Sequence, residues 1–366
     1  MDLESLLNSA EKARGASRFA EAGRIFQKLA RHASLDPGDR AQALLGLADM
    51  QRIQGYFTQA LQNYEKASGI LRKWDPEAYW DAQVGWALAA RACGRPKEAL
   101  ALLQKALKAY RKQKDSPGEA FTHWALGGTL RIAGQMKEGL KELQTALRMF
   151  KWRKDKEGTA YNCCALGGIF RMLGRYGDSG KFYREANRLM RHQKDTFGIA
   201  YSYCGLGNVE RMARRFKQAL PFYQKAEKLY GTIGDRVSYA YTLWSIGTTH
   251  KMLGQYTKAH RAFYKADNLF RKTGDTRGEI YSLLGFAEVE WLKAKDLKSP
   301  LLLREKARVR GAVSWKKAKT IADKSDYGWE RLHVEALKGG QVVNLAPRYR
   351  KAGSRFYPAS LPVNWP

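Results

Sequence analysis

The sequence predicts an all-α protein built as a solenoid of repeated units, and three observations lead to this fold class. Residue types recur every 40 positions through most of the 366 residues. Apolar residues inside each period follow helical spacing, as Leu140, Leu143, Leu147 and Phe150 do. A pair of helices cannot bury its apolar face alone, so the units must stack on one another. Small residues recur where two helices would touch, at Ala48, Ala87, Gly127, Gly167, Gly207, Gly247 and Ala287.

Each unit also carries signals for the start and the end of its first helix. An acid that suits a helix N-cap recurs at Asp115, Asp155, Asp195, Asp235 and Asp275. The next apolar run, such as residues 137–151, forms the second helix, so each unit is predicted to be helix, short turn, helix. Residues that suit a left-handed helix C-terminus recur at Gly15, Gly55, Gly94, Gly134, Gly174 and Gly254, with Arg214 as the exception.

The repeated motif joins a Leu-Gly or Ile-Gly pair, a Gly-x-Tyr or similar turn, and later alanines. Two units show it most clearly: Leu126-Gly127 with Gly134-Gln135-Met136 and Ala146, and Ile246-Gly247 with Gly254-Gln255-Tyr256, Ala259 and Ala266. Through these residues the chain resembles the tetratricopeptide repeat family, in its long-repeat variant, over about residues 1–292. The resemblance implies a right-handed superhelix whose concave surface is lined by the first helix of each unit, and a role in binding other molecules.

The repeat pattern fades after about residue 292, which suggests three regions. Residues 1–292 form about seven tetratricopeptide-like helical hairpins. Residues 293–340 form a divergent, basic helical cap, with a break at Ser299-Pro300, a long helix to about 323 and another from about 326 to 338. Residues 341–366 contain several prolines and are predicted to be an extended basic tail. The predicted fold class is thus a right-handed α-solenoid with a helical C-terminal cap and an extended tail.

The chain is strongly basic, with 65 Lys and Arg against 35 Asp and Glu and a formal net charge of +30. The first fifty residues are neutral, so the excess lies in the later repeats and the C-terminal region. Charge of this size predicts an anionic partner. No run of about 18 apolar residues occurs, so no membrane span is predicted. The N-terminus does not resemble a signal peptide, and we expect a cytoplasmic protein.

One column of the repeat is always basic, and we call it the basic ladder: Lys12, Arg52, Arg91, Arg131, Arg171, Arg211 and Lys251. The resemblance places this column on the concave surface. We expect the guanidinium groups of Arg131, Arg171 and Arg211 to be solvent-accessible on one surface, roughly 10 Å apart. Alternatively, the ladder pairs with acids of neighbouring units such as Asp49 and Glu288, but such acids are too few for seven cations.

Aromatic and polar residues lie beside the ladder on the same helical stripe, and we predict that they line the groove with it. An alternative is that the aromatic rings pack between units. Gly128 and Gly168 lie in the same stripe, where an extended ligand could approach the backbone. The predicted groove residues are Phe121, Trp124, Tyr161, Tyr201, Asn208, Tyr241 and Trp244.

These patterns predict a non-enzymatic interaction scaffold. The sequence contains no nucleophile–base–acid set and no metal-ligand spacing, so we expect no cofactor and no metal. The leading hypothesis is a basic concave groove that binds an acidic protein segment. Two alternatives stay open: an RNA- or single-stranded nucleic-acid-binding solenoid, and a structural subunit of a large complex. The partner's identity and the oligomeric state cannot be read from the sequence.

Overall fold

The structure, a computed structural model, describes residues 3–325 and 327–340, so the predicted tail at 341–366 lies outside the described residues. Within them, seventeen α-helices and a terminal 3-10 turn follow one another without a strand. The helices are α1 (Leu3–Gly15), α2 (Phe19–Ala30), α3 (Pro37–Ile53), α4 (Phe57–Trp74), α5 (Tyr79–Ala92), α6 (Pro96–Gln113), α7 (Ser116–Ile132), α8 (Met136–Trp152), α9 (Lys156–Met172), α10 (Tyr176–His192), α11 (Thr196–Met212), α12 (Phe216–Ile233), α13 (Arg236–Met252), α14 (Tyr256–Thr273), α15 (Thr276–Ala294), α16 (Leu301–Asp323) and α17 (Gly328–Ala336).

The helices pair as hairpins in chain order, and each hairpin packs on the next, which confirms the predicted all-α solenoid. Seven hairpins run from α1 to α14. The basic helix α16 packs against α15 as an eighth pair, and α17 with the turn Lys338–Gly340 covers the end. Pro300 is the N-cap of α16, in agreement with the predicted break at that proline.

The predicted helix boundaries are confirmed at the aspartates. Asp115, Asp155 and Asp195 are N-caps, and each carboxylate accepts a hydrogen bond from a backbone N–H three residues on. Asp235 and Asp275 do the same for α13 and α15. A cap of this kind contributes about 1 kcal/mol to stability. The aspartate column therefore fixes where the first helix of each later hairpin begins.

Most of the residues predicted to be left-handed do have a positive φ. Gly55, Gly134 and Gly174 have φ of 83°, 84° and 74°. Arg214 takes the same conformation at φ 63°, although it carries a side chain. Gly15 does not: it ends α1 as a helical residue, and Ser17 reaches the left-handed region instead. The left-handed residue that follows α1 therefore comes two positions later than the repeat predicts.

The column of small residues brings the two helices of a hairpin into close contact. A Cβ at Gly167 would lie 2.7 Å from the Tyr183 ring. A Cβ at Gly205, in the next hairpin, would lie 2.1 Å from the same ring. Both distances are too short for a side chain to exist there. Tyr183 is therefore held between the first helices of two successive hairpins.

The superhelix also closes upon itself, because hairpins far apart in the chain touch. The Phe19 and Phe197 rings lie 5.7 Å apart, edge to face, which joins α2 to α11. A Cβ at Gly55 would lie 2.6 Å from Thr273 Cγ2 and 2.7 Å from Val237 Cγ2. The turn between α3 and α4 is therefore pressed against α13 and α14.

A third contact of this kind involves the cap. The Tyr327 hydroxyl donates a hydrogen bond to the carbonyl oxygen of Ala92 at 3.2 Å, and its ring lies beside Gly94. Together with the first two contacts, it joins successive turns of the superhelix. We call these three sites the inter-turn contacts.

Buried polar groups attach the cap to the last hairpin. Arg277 Nε donates to Glu330 Oε1 at 2.7 Å, and the Tyr281 hydroxyl donates to the same oxygen at 2.8 Å. His333 is completely buried, with its Nδ1 3.3 Å from the Tyr281 hydroxyl. Burial lowers the pKa of His333 to about 4; Glu330 acts against this shift and Arg277 adds to it. The imidazole is therefore neutral in the folded protein at pH 7.

The first prediction concerns pH and the cap. His333 in the unfolded chain binds a proton near its ordinary pKa of 6.5, whereas in the folded chain it does so only near pH 4. Stability should therefore fall as the pH drops from about 6.5 to 4. Between pH 7 and pH 5 the parent should lose about 2 kcal/mol more unfolding free energy than His333→Gln. Urea unfolding of both chains at the two pH values measures this, and parallel losses would contradict it.

The second prediction isolates an inter-turn contact with a matched pair of glycines. Gly55→Ala and Gly254→Ala both introduce a side chain at positive φ, so both incur a similar backbone strain. A Cβ at Gly254 meets nothing within 4 Å, whereas one at Gly55 collides with α13 and α14. Gly55→Ala should therefore cost about 1–3 kcal/mol more unfolding free energy. Equal losses in denaturant unfolding would show that this contact contributes nothing.

Candidate ligand-binding groove

The basic ladder lies at equivalent places in successive hairpins. Each of its members occupies the last turn of an odd-numbered helix, from Lys12 in α1 to Lys251 in α13. Cations are favoured there because the unpaired carbonyls of a helix C-terminus carry partial negative charge. Lys12 itself is exposed. The ladder thus forms one row along the first helices of the solenoid.

Two members near the ends of this row are paired with acids. Arg52 Nη2 lies 3.2 Å from Asp49 Oδ1, and Lys251 forms a buried ion pair with Glu288. Burial lowers the pKa of Lys251, and the Glu288 charge acts in the opposite direction. The pairing alternative therefore holds for these two positions.

The middle of the row is different. Arg91 and Arg131 are half-buried and form no ion pair with any described residue. Arg91 Nη1 donates to Thr129 Oγ1 at 3.4 Å, and Arg131 Nη1 lies 3.6 Å from the Met172 sulfur. Burial, together with the charges of Arg52 and Arg131, lowers the pKa of Arg91 to about 10. These cations are desolvated without a compensating anion.

The ladder faces the inside of the superhelix. Burial lowers the pKa of Arg131, and the positive charge of Arg277 at the start of α15 lowers it further. Burial raises the pKa of Tyr201 in α11, while the charges of Arg131 and Arg91 act against that shift. Residues of α7, α11 and α15 can influence one another in this way only if they approach across the interior. We call this interior the groove.

The expected solvent accessibility of the ladder is wrong for two arginines. Arg171 is only 4% exposed and Arg211 is completely buried. Arg211 is covered by side chains: its Nε donates to the Tyr223 hydroxyl at 3.1 Å, its Nη2 donates to Asn208 Oδ1 at 3.1 Å, and its guanidinium lies 5.2 Å from the Trp244 ring centroid. The sequence pattern did not show this because Tyr223 and Trp244 come from other helices.

Arg171 is buried without such partners. No described residue offers a hydrogen-bond acceptor to its Nε or its Nη1. A buried donor without an acceptor costs about 1–3 kcal/mol, and more when it is charged. Arg171 is therefore the ladder residue with the most to gain from an anionic ligand.

Two of the predicted groove tyrosines serve packing between units. The Tyr161 hydroxyl donates to Asp195 Oδ2 at 2.7 Å, and the Tyr241 hydroxyl donates to Asp275 Oδ1 at 3.2 Å. Each joins one hairpin to the N-cap of the next. Tyr201 is different: it is 38% exposed and its ring stacks on Phe197, with the centroids 6.4 Å apart. Tyr201 is therefore available to a ligand.

The remaining predicted groove residues also divide into two groups. Phe121 is 42% exposed and contacts Trp124, with ring centroids 5.2 Å apart. Trp244 is 3% exposed and its Nε1 donates to the Tyr281 carbonyl at 3.0 Å, so its ring is part of the core. Asn208 is engaged by Arg211.

The two glycines of the stripe are not equivalent. A Cβ at Gly128 would lie 2.8 Å from Arg91 Nη1, so the Arg91 guanidinium already lies against that backbone. A Cβ at Gly168 would make only ordinary contacts, 3.5 Å from the Tyr183 hydroxyl and 4.0 Å from Arg131 Cδ. Space beside the helix backbone therefore remains at Gly168.

Sequence reasoning missed Tyr183 and Arg277 as groove residues. The signal for Tyr183 is present: a tyrosine follows Arg52, Arg171 and Arg211 by twelve positions in each case. Arg277 carries no such signal, because it reaches Arg131 only through closure of the superhelix.

A cleft of about 710 Å³ lies elsewhere, between α2, α3 and α4, and includes Arg31, Lys66, Lys73 and Trp74. None of its lining residues belongs to the ladder. Open volume alone does not indicate a ligand, whereas desolvated and unpaired cations do. We therefore place the candidate site at the ladder.

In the part of the chain that the structure describes, no helix is long and apolar enough to cross a membrane. No group of three or more His, Cys, Asp or Glu side chains in that part could hold a metal ion.

Three solved structures share this fold. A Rap protein complexed with competence and sporulation factor is 13% identical, with a TM-score of 0.61 and coverage of 96% of both chains. The Rap conjugation gene regulator of plasmid pLS20, in complex with the Phr* peptide, is 12% identical, with a TM-score of 0.60 and coverage of 88% of this chain and 97% of that one. The APC/C hetero-tetramer Cut9–Hcn1 is 16% identical, with a TM-score of 0.59 and coverage of 90% of this chain and 55% of that one.

No curated protein sequence matches the chain. The family model described as tetratricopeptide repeat matches residues 81–151, 156–232 and 199–272, which together are more than half of the chain. The repeated hairpins, their capping aspartates and this match agree, and the protein belongs to the tetratricopeptide repeat family.

Proposed function

We propose that the protein is a non-enzymatic scaffold whose groove binds an extended acidic segment of a protein partner. The observation that carries this proposal is the run of three neighbouring arginines, Arg91, Arg131 and Arg171, that form no ion pair with any described residue. They are half-buried or buried, so water does not fully solvate them. Carboxylates suit them because the planar guanidinium can donate two parallel hydrogen bonds to one.

Two further points support a peptide ligand. The solved Rap structures, which share this fold, hold a competence and sporulation factor in one case and the Phr* peptide in the other. Phe121 and Tyr201 are exposed beside the arginines and offer apolar surface to the side chains of such a segment. A bound segment would therefore combine charge-assisted hydrogen bonds with aromatic contacts.

The third prediction tests the ladder with a fluorescein-labelled hexaglutamate peptide in an anisotropy titration. The triple variant Arg91→Gln, Arg131→Gln and Arg171→Gln should bind it at least about 100-fold more weakly, because each lost charge-assisted contact is worth about 1.5–3 kcal/mol. Its melting temperature should equal or exceed that of the parent, because three desolvated like charges have been removed.

The matched control removes the same charge from the exposed second helices, by Lys105→Gln, Arg148→Gln and Arg184→Gln. This control should bind the peptide within about threefold of the parent, since exposed charges act weakly over distance. If both triple variants lose affinity equally, the effect is one of net charge and the ladder is not the site. If the parent itself does not bind hexaglutamate, the proposed acidic-peptide function fails.

Salt dependence distinguishes this proposal from nucleic-acid binding. A twelve-nucleotide single-stranded RNA that followed the ladder would lose affinity with a log–log slope of about −0.7 for each phosphate contacted. We expect hexaglutamate to bind more tightly than this RNA in 0.15 M salt. Tighter binding of the RNA, with loss of that binding in the ladder variant, would instead assign the groove to nucleic acid.

A further inference from the structure

An arrangement of three residues recurs in the ladder, and its first complete example lies at Arg52. Arg52 Nε donates to the Tyr64 hydroxyl at 3.1 Å. The Tyr64 hydroxyl in turn donates to Asp49 Oδ1 at 2.5 Å, and Arg52 Nη2 donates to the same oxygen at 3.2 Å. One carboxylate oxygen thus accepts from both an arginine and a tyrosine. The acceptor precedes the arginine by three positions, and the tyrosine follows it by twelve.

The second complete example lies at Arg211. Its Nε donates to the Tyr223 hydroxyl at 3.1 Å, and its Nη2 donates to Asn208 Oδ1 at 3.1 Å. The Tyr223 hydroxyl donates to the same amide oxygen at 2.8 Å. The geometry is that of the Arg52 example, with an amide oxygen in the place of the carboxylate oxygen. Two hairpins four units apart along the ladder therefore use the same local design.

Arg171 and Tyr183 repeat the spacing of this design, but they lack both its acceptor and its bond from the arginine Nε to the tyrosine hydroxyl. Tyr183 again follows the arginine by twelve positions, but the position three before the arginine is Gly168. Burial raises the pKa of Tyr183, and the nearby charges of Arg171 and Arg131 act against that shift. The Nε and Nη1 of Arg171 have no acceptor among the described residues, although the side chain is 4% exposed. Both Arg171 and Tyr183 therefore have donor capacity to spare, and glycine supplies no oxygen of the kind that the donors hold in the other two hairpins.

The glycine is not required by helix packing. A Cβ at Gly168 would lie 3.5 Å from the Tyr183 hydroxyl and 4.0 Å from Arg131 Cδ, which are ordinary contacts. By contrast, a Cβ at the preceding Gly167 would lie 2.7 Å from the Tyr183 ring. A side chain therefore fits at position 168, and its absence leaves the acceptor position open to another molecule.

We propose that Arg171, Tyr183 and Gly168 form a carboxylate subsite, in which one carboxylate oxygen of the ligand takes the place that Asp49 Oδ1 has beside Arg52 and Tyr64. This inference rests on the proposed function, since it assigns one acidic side chain of the bound segment to one position of the groove. A carboxylate is favoured over a neutral amide because Arg131 also lies within reach, with its Cδ near Gly168. Three hairpins then share one design, and in one of them the ligand supplies the acid.

The test is to supply the acid from the chain. Gly168→Asp restores the arrangement seen at Arg52, whereas Gly168→Ala adds a Cβ without an acceptor. In anisotropy titrations with the labelled hexaglutamate peptide, Gly168→Ala should bind more weakly than the parent, because its Cβ crowds the place of the ligand oxygen. Gly168→Asp should bind at least about tenfold more weakly than Gly168→Ala, because its own carboxylate occupies the donors. If the two variants lose affinity equally, the position acts through bulk alone and the subsite is refuted. If Gly168→Asp binds as the parent does, it is also refuted.

A second measurement needs no ligand, and it therefore separates this inference from the proposed function. Alanine is the better helix former, so on propensity alone Gly168→Ala should melt at the higher temperature. Because Arg171 and Tyr183 would hold the introduced carboxylate, we expect Gly168→Asp to melt at or above Gly168→Ala, and we expect this order to reverse in an Arg171→Gln background. Should hexaglutamate fail to bind the parent while the melting order holds, the peptide function fails and the subsite stands. A lower melting temperature of Gly168→Asp in both backgrounds would overturn the subsite.

Discussion

Close approach of helices at glycines is the constraint on which the rest of this structure depends. Gly167 and Gly205 leave room for the Tyr183 ring between two successive hairpins, and neither could carry a side chain. Because the ring is fixed there, its hydroxyl lies in the groove beside Gly168. Gly207 admits the Tyr223 ring in the same way. Packing inside the solenoid therefore sets where the polar groups of its interior lie.

The charged side chains of the groove affect the stability of the fold in two opposite ways. Arg52 and Lys251 are neutralised by Asp49 and Glu288, so these ends of the ladder contribute to the fold. Between them, Arg91 and Arg131 lie near other cations, Arg277 among them, and burial together with these charges lowers the pKa of both guanidinium groups. Like charges arranged in this way lower the stability of the unliganded protein, and a bound anion would raise it. The same interior thus destabilises the fold and, under the proposed function, would be stabilised by a bound anion.

The features that depend on neighbouring repeats could be predicted from the sequence. The capping aspartates, the seam of small residues and the helical hairpins follow from local spacing, and the structure confirms them. The spacing also placed Arg171 and Arg211 in one row, but it could not show that they are buried; Arg211, for example, is covered by Tyr223 from another helix. The role that we propose for Gly168 could be recognised only by comparing its position with those of Asp49 and Asn208 in the folded hairpins. Contacts between turns, such as Phe19 with Phe197, repeat nowhere in the sequence and left no periodic signal.

The inter-turn contacts change how such a chain is expected to fold. In an open solenoid each repeat touches only its neighbours, so stability is a sum of local terms and the ends can fray independently. Here the Tyr327 hydroxyl bonds to a carbonyl 235 residues away, and the turn at Gly55 is pressed against α13 and α14. Contacts over such separations raise the contact order and couple the first hairpins to the last. We therefore expect the array to unfold as one cooperative unit, and loss of its N-terminal hairpins to loosen hairpins near its C-terminal end that lie more than half the chain away in sequence.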